Sequence, residues 1–242
     1  MLRCSKLLRD KWLPLSANIL VNLDSDIITN KQNILHLINM EVTQDYFKQN
    51  MPMWESIFFQ RLKWNPSTKR NVLEVGSFEG FSTCWIITNL LVNKESNMVC
   101  IDTFEGGNEH KLIGQEYMHG VRERFFNNIK ETNRLESIRI LEEYSDLGLL
   151  KLIHEDDIKF DFIYIDGSHM AIDVLTDLVL SFRLLNNNGL CICDDYNWSP
   201  NLSDFDLNQS PKMAIDSFSS IYSKRIEFIP IVNTQFAFIR KK

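Results

Sequence analysis

Short apolar runs alternate with segments of helical spacing along the chain from residue 70 onward. Five runs predict strands, namely NVLEVG, NMVCID, SIRILEEYS, DFIYID and LCICDD. Strands that alternate with helices predict a parallel sheet that is covered by helices on both faces. After the helical segment PKMAIDSFSSIYSK, the runs RIEFIPIVN and TQFAFIRKK follow each other with almost no linker. Two strands that are joined so tightly must be antiparallel.

The first 69 residues lack strong strand signals. NKQNILHLINMEVTQDYFKQN and MWESIFFQRLKW carry apolar residues at helical spacing, and Pro52 is predicted to separate them. We therefore predict a helical N-terminal cap or extension over residues 1–69 and one α/β domain over residues 70–242. Within the domain, NNNG at 186–189 predicts the end of a helix and a turn before the fifth strand.

Polar residues stand at the end of each predicted parallel strand. They are Glu74 and Gly76, then Asp102, Ser145 and Asp166, and finally Asp194 and Asp195. In open parallel sheets, ligands bind outside the carboxyl ends of the strands. The sequence therefore predicts a ligand site at this edge.

The stretch LEVGSFEG, residues 73–80, predicts a strand, a glycine turn and a helix start. Gly76 permits a tight turn and a close approach to a ligand. The first glycine of a dinucleotide-binding motif is absent, and Glu74 suits a positively charged ligand better than a pyrophosphate. Asp102 could accept hydrogen bonds from a ribose diol. The alternatives are an ordinary strand-to-helix turn and an aspartate that caps a loop.

Composition narrows the class of protein. The net charge of -6 gives no reason to expect a nucleic-acid partner. The five cysteines include no CxxC pair, so we expect reduced thiols in a cytoplasmic protein. No apolar run approaches the roughly 18 residues that a membrane-spanning helix needs, and the N-terminal residues lack the continuous apolar stretch of a secretory signal.

Five blocks occur in an order that resembles a known family: VLEVGSFEGFST, CIDTFEGG, FDFIYIDGSH, LLNNNGLCICDDY and PKMAIDSFSSIY. They resemble class I S-adenosylmethionine-dependent methyltransferases, in particular the bacterial branch with many small-molecule O-methyltransferases. The resemblance covers about residues 40–242. It implies a Rossmann-like, doubly wound sheet of seven strands, mostly parallel with an antiparallel C-terminal hairpin. It also implies methyl transfer to a hydroxyl of a natural product, sugar or phenol.

The resemblance also implies which residues bind the cofactor. Glu74, Gly76 and Ser77 would line the methionine end of the cofactor. Asp102 would hold the ribose. Ser145 would contact the adenine, with Thr103 and Phe104 near it. The complete set is Glu74, Gly76, Ser77, Asp102, Thr103, Phe104, Ser145 and Asp166.

Three carboxylates are predicted to converge at the ends of strands four and five, namely Asp166, Asp194 and Asp195. Carboxylates brought together repel one another unless they are protonated or bind a cation. Mg²⁺ prefers oxygen ligands and keeps open positions that a substrate hydroxyl could take. Catechol- and macrocin-type enzymes, which the chain resembles, hold a divalent cation this way. The alternative is that one acid caps a helix and another binds a substrate amine without metal.

Two residues are candidates for the catalytic base. Asp166 is the base by analogy with the sugar-type enzymes. His169 stands where the catechol enzyme has a lysine, and an imidazole can accept a proton near neutral pH. The alternative for His169 is a structural role at a helix start.

Other functions stay open. The first is metal-independent N-methylation of a small molecule, and the second is a methyltransferase-like binding module without turnover. A nicotinamide dehydrogenase is disfavoured by the missing glycine and the terminal hairpin.

We expect a small-molecule acceptor, bound by residues 30–64, 105–120 and 196–210, and no membrane partner; a homo-oligomer is left open. Aromatic residues that could line the acceptor pocket, unless they belong to the core, are Trp12, Trp54, Phe58, Phe59, Trp64 and Trp198.

Overall fold

A computed structural model describes residues 40–107, 110, 115–155, 158–199, 207–231 and 234–242. Residues 40–242 form one compact unit. Most of the predicted N-terminal extension, including Trp12, lies outside the described residues. The predicted boundary at residue 70 stays a prediction, although residues 40–69 belong to the same compact unit as the sheet.

The described strands form a single seven-stranded sheet with the order β3-β2-β1-β4-β5-β7-β6. Strands β1 to β5 are parallel to their neighbours, whereas β7 is antiparallel to both β5 and β6. This confirms the predicted Rossmann-like sheet and its antiparallel C-terminal hairpin. The strands are β1 Asn71–Val75, β2 Asn97–Ile101, β3 Ile138–Leu141, β4 Phe160–Ile165, β5 Leu185–Cys193, β6 Ile226–Ile229 and β7 Phe236–Arg240.

Helices connect the strands. The described α-helices are α1 Met51–Glu55, α2 Phe81–Leu90, α3 Val121–Glu131, α4 Ser145–His154, α5 Ala171–Leu184 and α6 Pro211–Tyr222. Helix α1 continues as a π-helix over Ser56–Arg61, and 3-10 turns span Lys48–Asn50, Gln115–Met118, Leu135–Ser137 and Leu207–Gln209. Within the described part of the chain, no helix is long and apolar enough to cross a bilayer.

The apolar runs become strands that are buried on both faces. In β4, five of the six side chains are at most 2% exposed, and only Asp161 is partly accessible. Each large apolar side chain that is fully buried stabilises the fold by about 1.5–3 kcal/mol. This burial holds the carboxyl end of β4 rigidly beside the end of β1, with Val75 opposite Ile165.

Two of the N-terminal aromatic residues belong to the core. Trp54 and Phe58 are fully buried, and Trp54 packs edge-on against Phe162 and Tyr164 of β4 at 5.3 and 4.8 Å between ring centroids. The indole Nε1 of Trp54 donates a 2.8 Å hydrogen bond to Gln235. Core packing, and not an acceptor pocket, therefore explains these two residues.

Several predicted boundaries are wrong. Residues 40–47 are irregular where a helix is predicted over 30–50, because backbone donors there bind domain side chains, as in the 2.6 Å bond from Thr43 N to Glu79. Pro52 does not separate two helices but lies in the first turn of α1, where its missing N–H costs nothing. The NNNG run lies within β5, which follows α5 directly. Ser145 begins α4 and does not end β3.

Strand order reverses between β1 and β4, since β1 continues to β2 on one side and β4 to β5 on the other. The loops that leave two such strands diverge and open a crevice at their carboxyl ends. The polar residues that follow β1, β2, β4 and β5 meet at this crevice.

Candidate active site

A cavity of about 540 Å³ lies at the carboxyl ends of β1, β2 and β4, and we call it the large cavity. A second cavity of about 60 Å³, the small cavity, shares Gly76, Phe78 and Asp166 with it. The large cavity is lined by Val75, Gly76, Phe78, Ile101, Asp102, Thr103, Gly106, Gly107, His110, Met118, Glu143, Tyr144, Ser145, Asp146, Leu147, Asp166, Gly167, Ser168, Asp173, Thr176 and Asp177. The small cavity adds Val42, Gln44, Tyr46, Phe47, Ser77, Glu79, Phe81 and Ser82.

Gly76 directly follows β1, lies beside the end of β4 and lines both cavities. Its φ of 81° is in the left-handed region, and a Cβ atom there would stand 2.0 Å from the carbonyl oxygen of Asp166. The backbone N–H of Asp166 donates to Val75 at 2.7 Å, so the two loops are bonded at this point. Only glycine fits, because both the conformation and the space exclude a side chain.

The carboxylate of Asp102 organises the loop after β1 and lines the large cavity. Its Oδ2 accepts hydrogen bonds from the backbone N–H groups of Ser77 at 2.6 Å and Phe78 at 2.8 Å. Its Oδ1 accepts from Phe104 N at 2.7 Å. Burial raises the pKa of Asp102, and the three N–H bonds act against this rise. The predicted contact with a ribose stays a prediction.

Glu74 lies away from the cavity wall, although the sequence predicts a contact with the methionine end. Its fully buried carboxylate accepts hydrogen bonds from the hydroxyls of Ser77 at 2.8 Å, Ser82 at 2.6 Å and Thr83. Burial raises its pKa, and these hydroxyls lower it. Glu74 therefore joins β1 to the start of α2 and supports the loop that carries Gly76.

The other predicted cofactor residues divide between the two cavities and the core. Thr103 and Ser145 line the large cavity, whereas Ser77 lines the small one. Phe104 points to the core, where it packs on Phe125 with 4.9 Å between ring centroids. Asp166 lines both cavities and is the predicted residue that lies at their junction.

Tyr164 joins two of the three predicted metal ligands. Its hydroxyl lies 2.9 Å from Oδ2 of Asp166 and 2.5 Å from Oδ2 of Asp194. Asp194 also accepts hydrogen bonds from Gln235 Nε2 at 2.7 Å and Asn50 Nδ2 at 3.2 Å. Burial raises the pKa of Asp166 and of Asp194, and the neighbouring carboxylates raise both further.

Asp195 turns toward His169 instead of Asp166. Its Oδ2 lies 2.9 Å from His169 Nε2, and its φ of 56° is in the left-handed region. The His169 ring stacks on the indole of Trp198 with 4.1 Å between centroids and 15° between planes. The imidazole is thus held by a carboxylate at its edge and by an indole on its face.

A family model described as "Methyltransferase domain" matches residues 73–196, which is just over half of the chain and spans β1 to the end of β5. The chain belongs to this methyltransferase family. A curated relative, the uncharacterized protein R132 of Acanthamoeba polyphaga mimivirus, is 26% identical over 132 residues. The chain spans about half the length of that relative, and the match covers 53% of each protein.

Solved structures share the fold of this methyltransferase. An O-methyltransferase from Bacillus cereus, determined with SAH, has 18% identity and a TM-score of 0.56 over 93% of this chain and 94% of its own. The O-methyltransferase TomG from Streptomyces achromogenes, determined with SAM, has 14% identity and a TM-score of 0.56 over 94% of each chain. The predicted family and the predicted fold are thereby confirmed.

The predicted magnesium site does not fit the donors of this methyltransferase. Both oxygens of Asp194 already accept protein hydrogen bonds, three on Oδ2 and one from Asp195 N on Oδ1 at 2.8 Å. Asp195 is directed to His169. Among the described residues, no group of three or more His, Cys, Asp or Glu side chains is arranged to hold a metal ion. The carboxylates therefore act as acceptors within the protein.

The cavity contains residues that the sequence analysis missed. Gly106, Gly107 and Met118 follow β2, and Thr176 and Asp177 lie on α5. A signal for Asp177 was present, because it is a carboxylate on the apolar face of α5 that also carries Val174 and Leu178. Helical periodicity alone could not show whether this carboxylate is buried or lies on the exposed surface of the helix.

The four described cysteines are free and buried, namely Cys84, Cys100, Cys191 and Cys193. Burial raises the pKa of the Cys191 and Cys193 thiols, which lie on the same strand. Thiols with raised pKa values are poor nucleophiles, so the pair has the character of core residues.

Proposed function

We propose that this methyltransferase binds S-adenosylmethionine in the large cavity and transfers its methyl group to a hydroxyl oxygen of a small molecule. The observation that carries the proposal is the common position of Gly76, Asp102 and Asp166 on one cavity wall, at the ends of three adjacent strands. A glycine there lets a ligand reach the backbone, and a carboxylate after β2 is a partner for ribose hydroxyls. The O-methyltransferases with the same fold support the choice of oxygen as acceptor.

The junction of the two cavities supports the position of the transfer. Asp166 borders the large cavity, which has the volume for a cofactor, and the small cavity, which has room only for the reacting end of an acceptor. Val42, Tyr46 and Phe47 give the small cavity an apolar and aromatic wall. The cofactor supplies a methyl group on a positively charged sulfonium, and the protein holds the acceptor oxygen in line with it.

His169 is proposed as the group that takes the proton from the acceptor hydroxyl. Its bond to Asp195 would stabilise the imidazolium that forms, and its stacking on Trp198 fixes the plane of the ring. Positioned proton acceptors of this kind contribute about 10²–10⁴-fold to a rate. Assistance by a divalent cation is not included, because both oxygens of Asp194 and the Oδ2 atom of Asp195 are hydrogen-bonded within the protein.

Calorimetry with S-adenosylhomocysteine and, separately, with NAD tests the cofactor class. We expect binding of S-adenosylhomocysteine and none of NAD, and a loss of affinity of at least about tenfold in Asp102→Ala. Binding of NAD alone would contradict the proposal. A screen of phenols, sugars and amines with labelled S-adenosylmethionine then tests the acceptor. Methylation of amines alone would show that the acceptor atom is nitrogen and not oxygen.

A further inference from the structure

Residues 41–47, which we call the strap, form one wall of the small cavity without belonging to a helix or a strand. Four side chains of the strap line this cavity, namely Val42, Gln44, Tyr46 and Phe47. Phe47 is 5% exposed and packs edge-on against Trp54 with 4.8 Å between ring centroids. The core therefore anchors one end of the strap, and the rest of it depends on other contacts to keep its place.

Glu79 holds the middle of the strap. Its Oε2 accepts a 2.6 Å hydrogen bond from the backbone N–H of Thr43, and its Oε1 accepts from the Thr43 hydroxyl at 2.7 Å. The same Oε1 lies 2.5 Å from Nε of Arg124, so α3 compensates the charge of this buried carboxylate. Both oxygens of Glu79 are thus engaged within the protein, and Glu79 acts on a ligand only through the strap.

Asn128 of α3 holds the beginning of the strap. Its side-chain amide donates to the backbone oxygen of Glu41 at 3.0 Å and accepts from the N–H of Glu41 at 2.9 Å. Its Nδ2 also donates to the backbone oxygen of Glu79 at 2.8 Å. The strap is therefore attached at positions 41 and 43, and the side chains that line the cavity follow at 42, 44 and 46. This alternation is that of an extended chain.

The wall that the strap completes has a defined chemistry. Tyr46 supplies an aromatic ring whose centroid lies 6.1 Å from that of Phe78. Among the described residues that line the small cavity, there is no lysine, arginine or histidine. Arg124, a cation next to this wall, is neutralised by Glu79, and Asp166 adds a carboxyl group at the junction. The wall therefore favours an uncharged acceptor with an apolar ring and disfavours a carboxylate or a phosphate.

We propose that Glu79 and Asn128 are positioning residues that set the specificity for the acceptor by holding the strap against the small cavity. This inference rests on the proposed methyl transfer to an acceptor in that cavity. A strap that leaves its place part of the time offers the complete wall only for the remaining fraction, and the apparent affinity for the acceptor falls by that fraction. No strap residue is among the described residues that line the large cavity, so the affinity for the cofactor is independent of the strap.

Paired variants of Thr43, an exposed residue where folding is least at risk, test the inference. Thr43→Val has nearly the same shape but lacks the hydroxyl that bonds to Glu79, whereas Thr43→Ser keeps it. With the compound that the acceptor screen methylates fastest, we expect KM to rise about tenfold in Thr43→Val and to keep its wild-type value in Thr43→Ser. The kcat at saturating acceptor and the Kd for S-adenosylhomocysteine should be the same in all three proteins.

Asn128→Asp tests the other attachment. Aspartate keeps the acceptor for the N–H of Glu41 but loses both donated hydrogen bonds, to Glu41 and to Glu79. We expect the same increase in KM as in Thr43→Val, again without a change in the Kd for S-adenosylhomocysteine. Thermal denaturation shows whether the variant is folded, and the exposed Thr43 variants decide the question if it is not.

Glu79→Gln tests the charge of the wall. Glutamine leaves Arg124 without its counter-charge beside the small cavity. We therefore expect the kcat/KM for a carboxylate-bearing analogue, relative to that of the uncharged acceptor, to rise about fivefold. The matched control is Glu142→Gln, which removes a pair with Arg122 of the same helix at 2.6 and 2.7 Å. Neither of these two residues is among the described residues that line the cavities, so the control keeps the wild-type ratio.

Hydrogen exchange of the strap gives a measurement that needs no acceptor. The backbone N–H of Thr43 is bonded to Glu79, so we expect faster exchange in residues 41–47 of Glu79→Gln than in those of Glu142→Gln. Equal exchange in the two variants would overturn the inference.

The outcomes separate the two proposals. If the wild type neither binds S-adenosylhomocysteine nor methylates any compound, the proposed function fails. If it does both, and Thr43→Val and Asn128→Asp keep the wild-type KM, the proposed function stands and the role of the strap is overturned. An increase in the Kd for S-adenosylhomocysteine as large as that in KM would overturn it as well, because the contacts would then support the cofactor cavity.

Discussion

The Nε2 atom of His169 lies 2.9 Å from the Oδ2 atom of Asp195, although 26 residues separate them in the chain. The pair forms because β4 and β5 are parallel neighbours, with Ile165 opposite Cys193, so that the residues after both strands meet at one edge. Trp198 then covers the ring. This arrangement gives the imidazole a fixed orientation one residue after Ser168, which lines the large cavity.

We predict that His169→Ala lowers kcat for methyl transfer by about 10²–10⁴-fold, because the acceptor hydroxyl loses its proton acceptor. The Kd for S-adenosylhomocysteine is expected to change less than about twofold, as measured by calorimetry. Asp195→Asn should also lower kcat, but by less than His169→Ala does. His154→Ala, at the exposed end of α4, is the matched control. A variant His169→Ala with full kcat would rule out the assigned role.

Removal of divalent cations is expected to leave methyl transfer unchanged. The Oδ2 atom of Asp194 accepts from Tyr164, Gln235 and Asn50, and its Oδ1 atom accepts from the backbone N–H of Asp195, so a cation would have to displace protein donors. The measurement is the initial rate in EDTA and after addition of Mg²⁺. A rate that vanishes in EDTA and returns only with Mg²⁺ would contradict the structure-based assignment.

Asp194→Asn is expected to destabilise the protein by about 1.5–3 kcal/mol, because hydrogen bonds to a charged acceptor are replaced by weaker ones. Two donors, the Tyr164 hydroxyl and Gln235 Nε2, lie within 2.7 Å of its Oδ2. Equilibrium unfolding in urea measures the change at pH 8. The exposed Asp216→Asn serves as the control, and an equal stability of both variants would show that Asp194 is not a structural anchor.

Gly76→Ala is predicted to cost several kcal/mol of stability or to prevent folding. The new methyl group would stand 2.0 Å from the carbonyl oxygen of Asp166, and alanine disfavours a φ of 81°. Gly167→Ala is the matched control, since its methyl group would meet Val75 at an ordinary 3.5 Å. Both are compared by thermal denaturation, and similar melting temperatures would refute the close approach of the two loops.

Asp177 is a carboxylic acid on α5 that is 1% exposed, so Asp177→Asn is expected to be more stable than the wild type by an amount that depends on pH. Burial raises the pKa of Asp177 from its usual 3.8 to about 7, so the folded state holds a proton that the unfolded state releases. The penalty that Asp177 places on the stability of the folded state is therefore absent below pH 4, grows between pH 4 and 7, and is constant above pH 7. Asn cannot ionise, so its advantage grows over that window to at most about 4 kcal/mol. A constant difference between pH 4 and 8, from urea unfolding, would refute the raised pKa.

The sequence predicts the strands and their succession along the chain because burial and periodicity are local properties, whereas the spatial order of the strands in the sheet comes from the structure. The buried runs of β1, β2 and β4 are long enough to identify a strand without knowledge of their neighbours. The hairpin of β6 and β7 follows from a linker too short for a crossover. Helical spacing alone was less reliable, because residues 40–47 belong to a segment with that spacing and are irregular in the structure.

The sequence by itself determined that Gly76, Asp102 and Asp166 stand at the ends of parallel strands, whose carboxyl ends meet at one edge of a sheet. Only the tertiary structure decided what each carboxyl group does there. Asp194 meets Asn50 and Gln235, which lie 144 and 41 residues away, and both donate to its Oδ2 atom, which a metal would need. Asp177 faces the cavity because α4 and α5 pack together, and no local pattern encodes such a contact. Spacing places a side chain on an element, whereas its partners depend on contacts that form when distant segments pack.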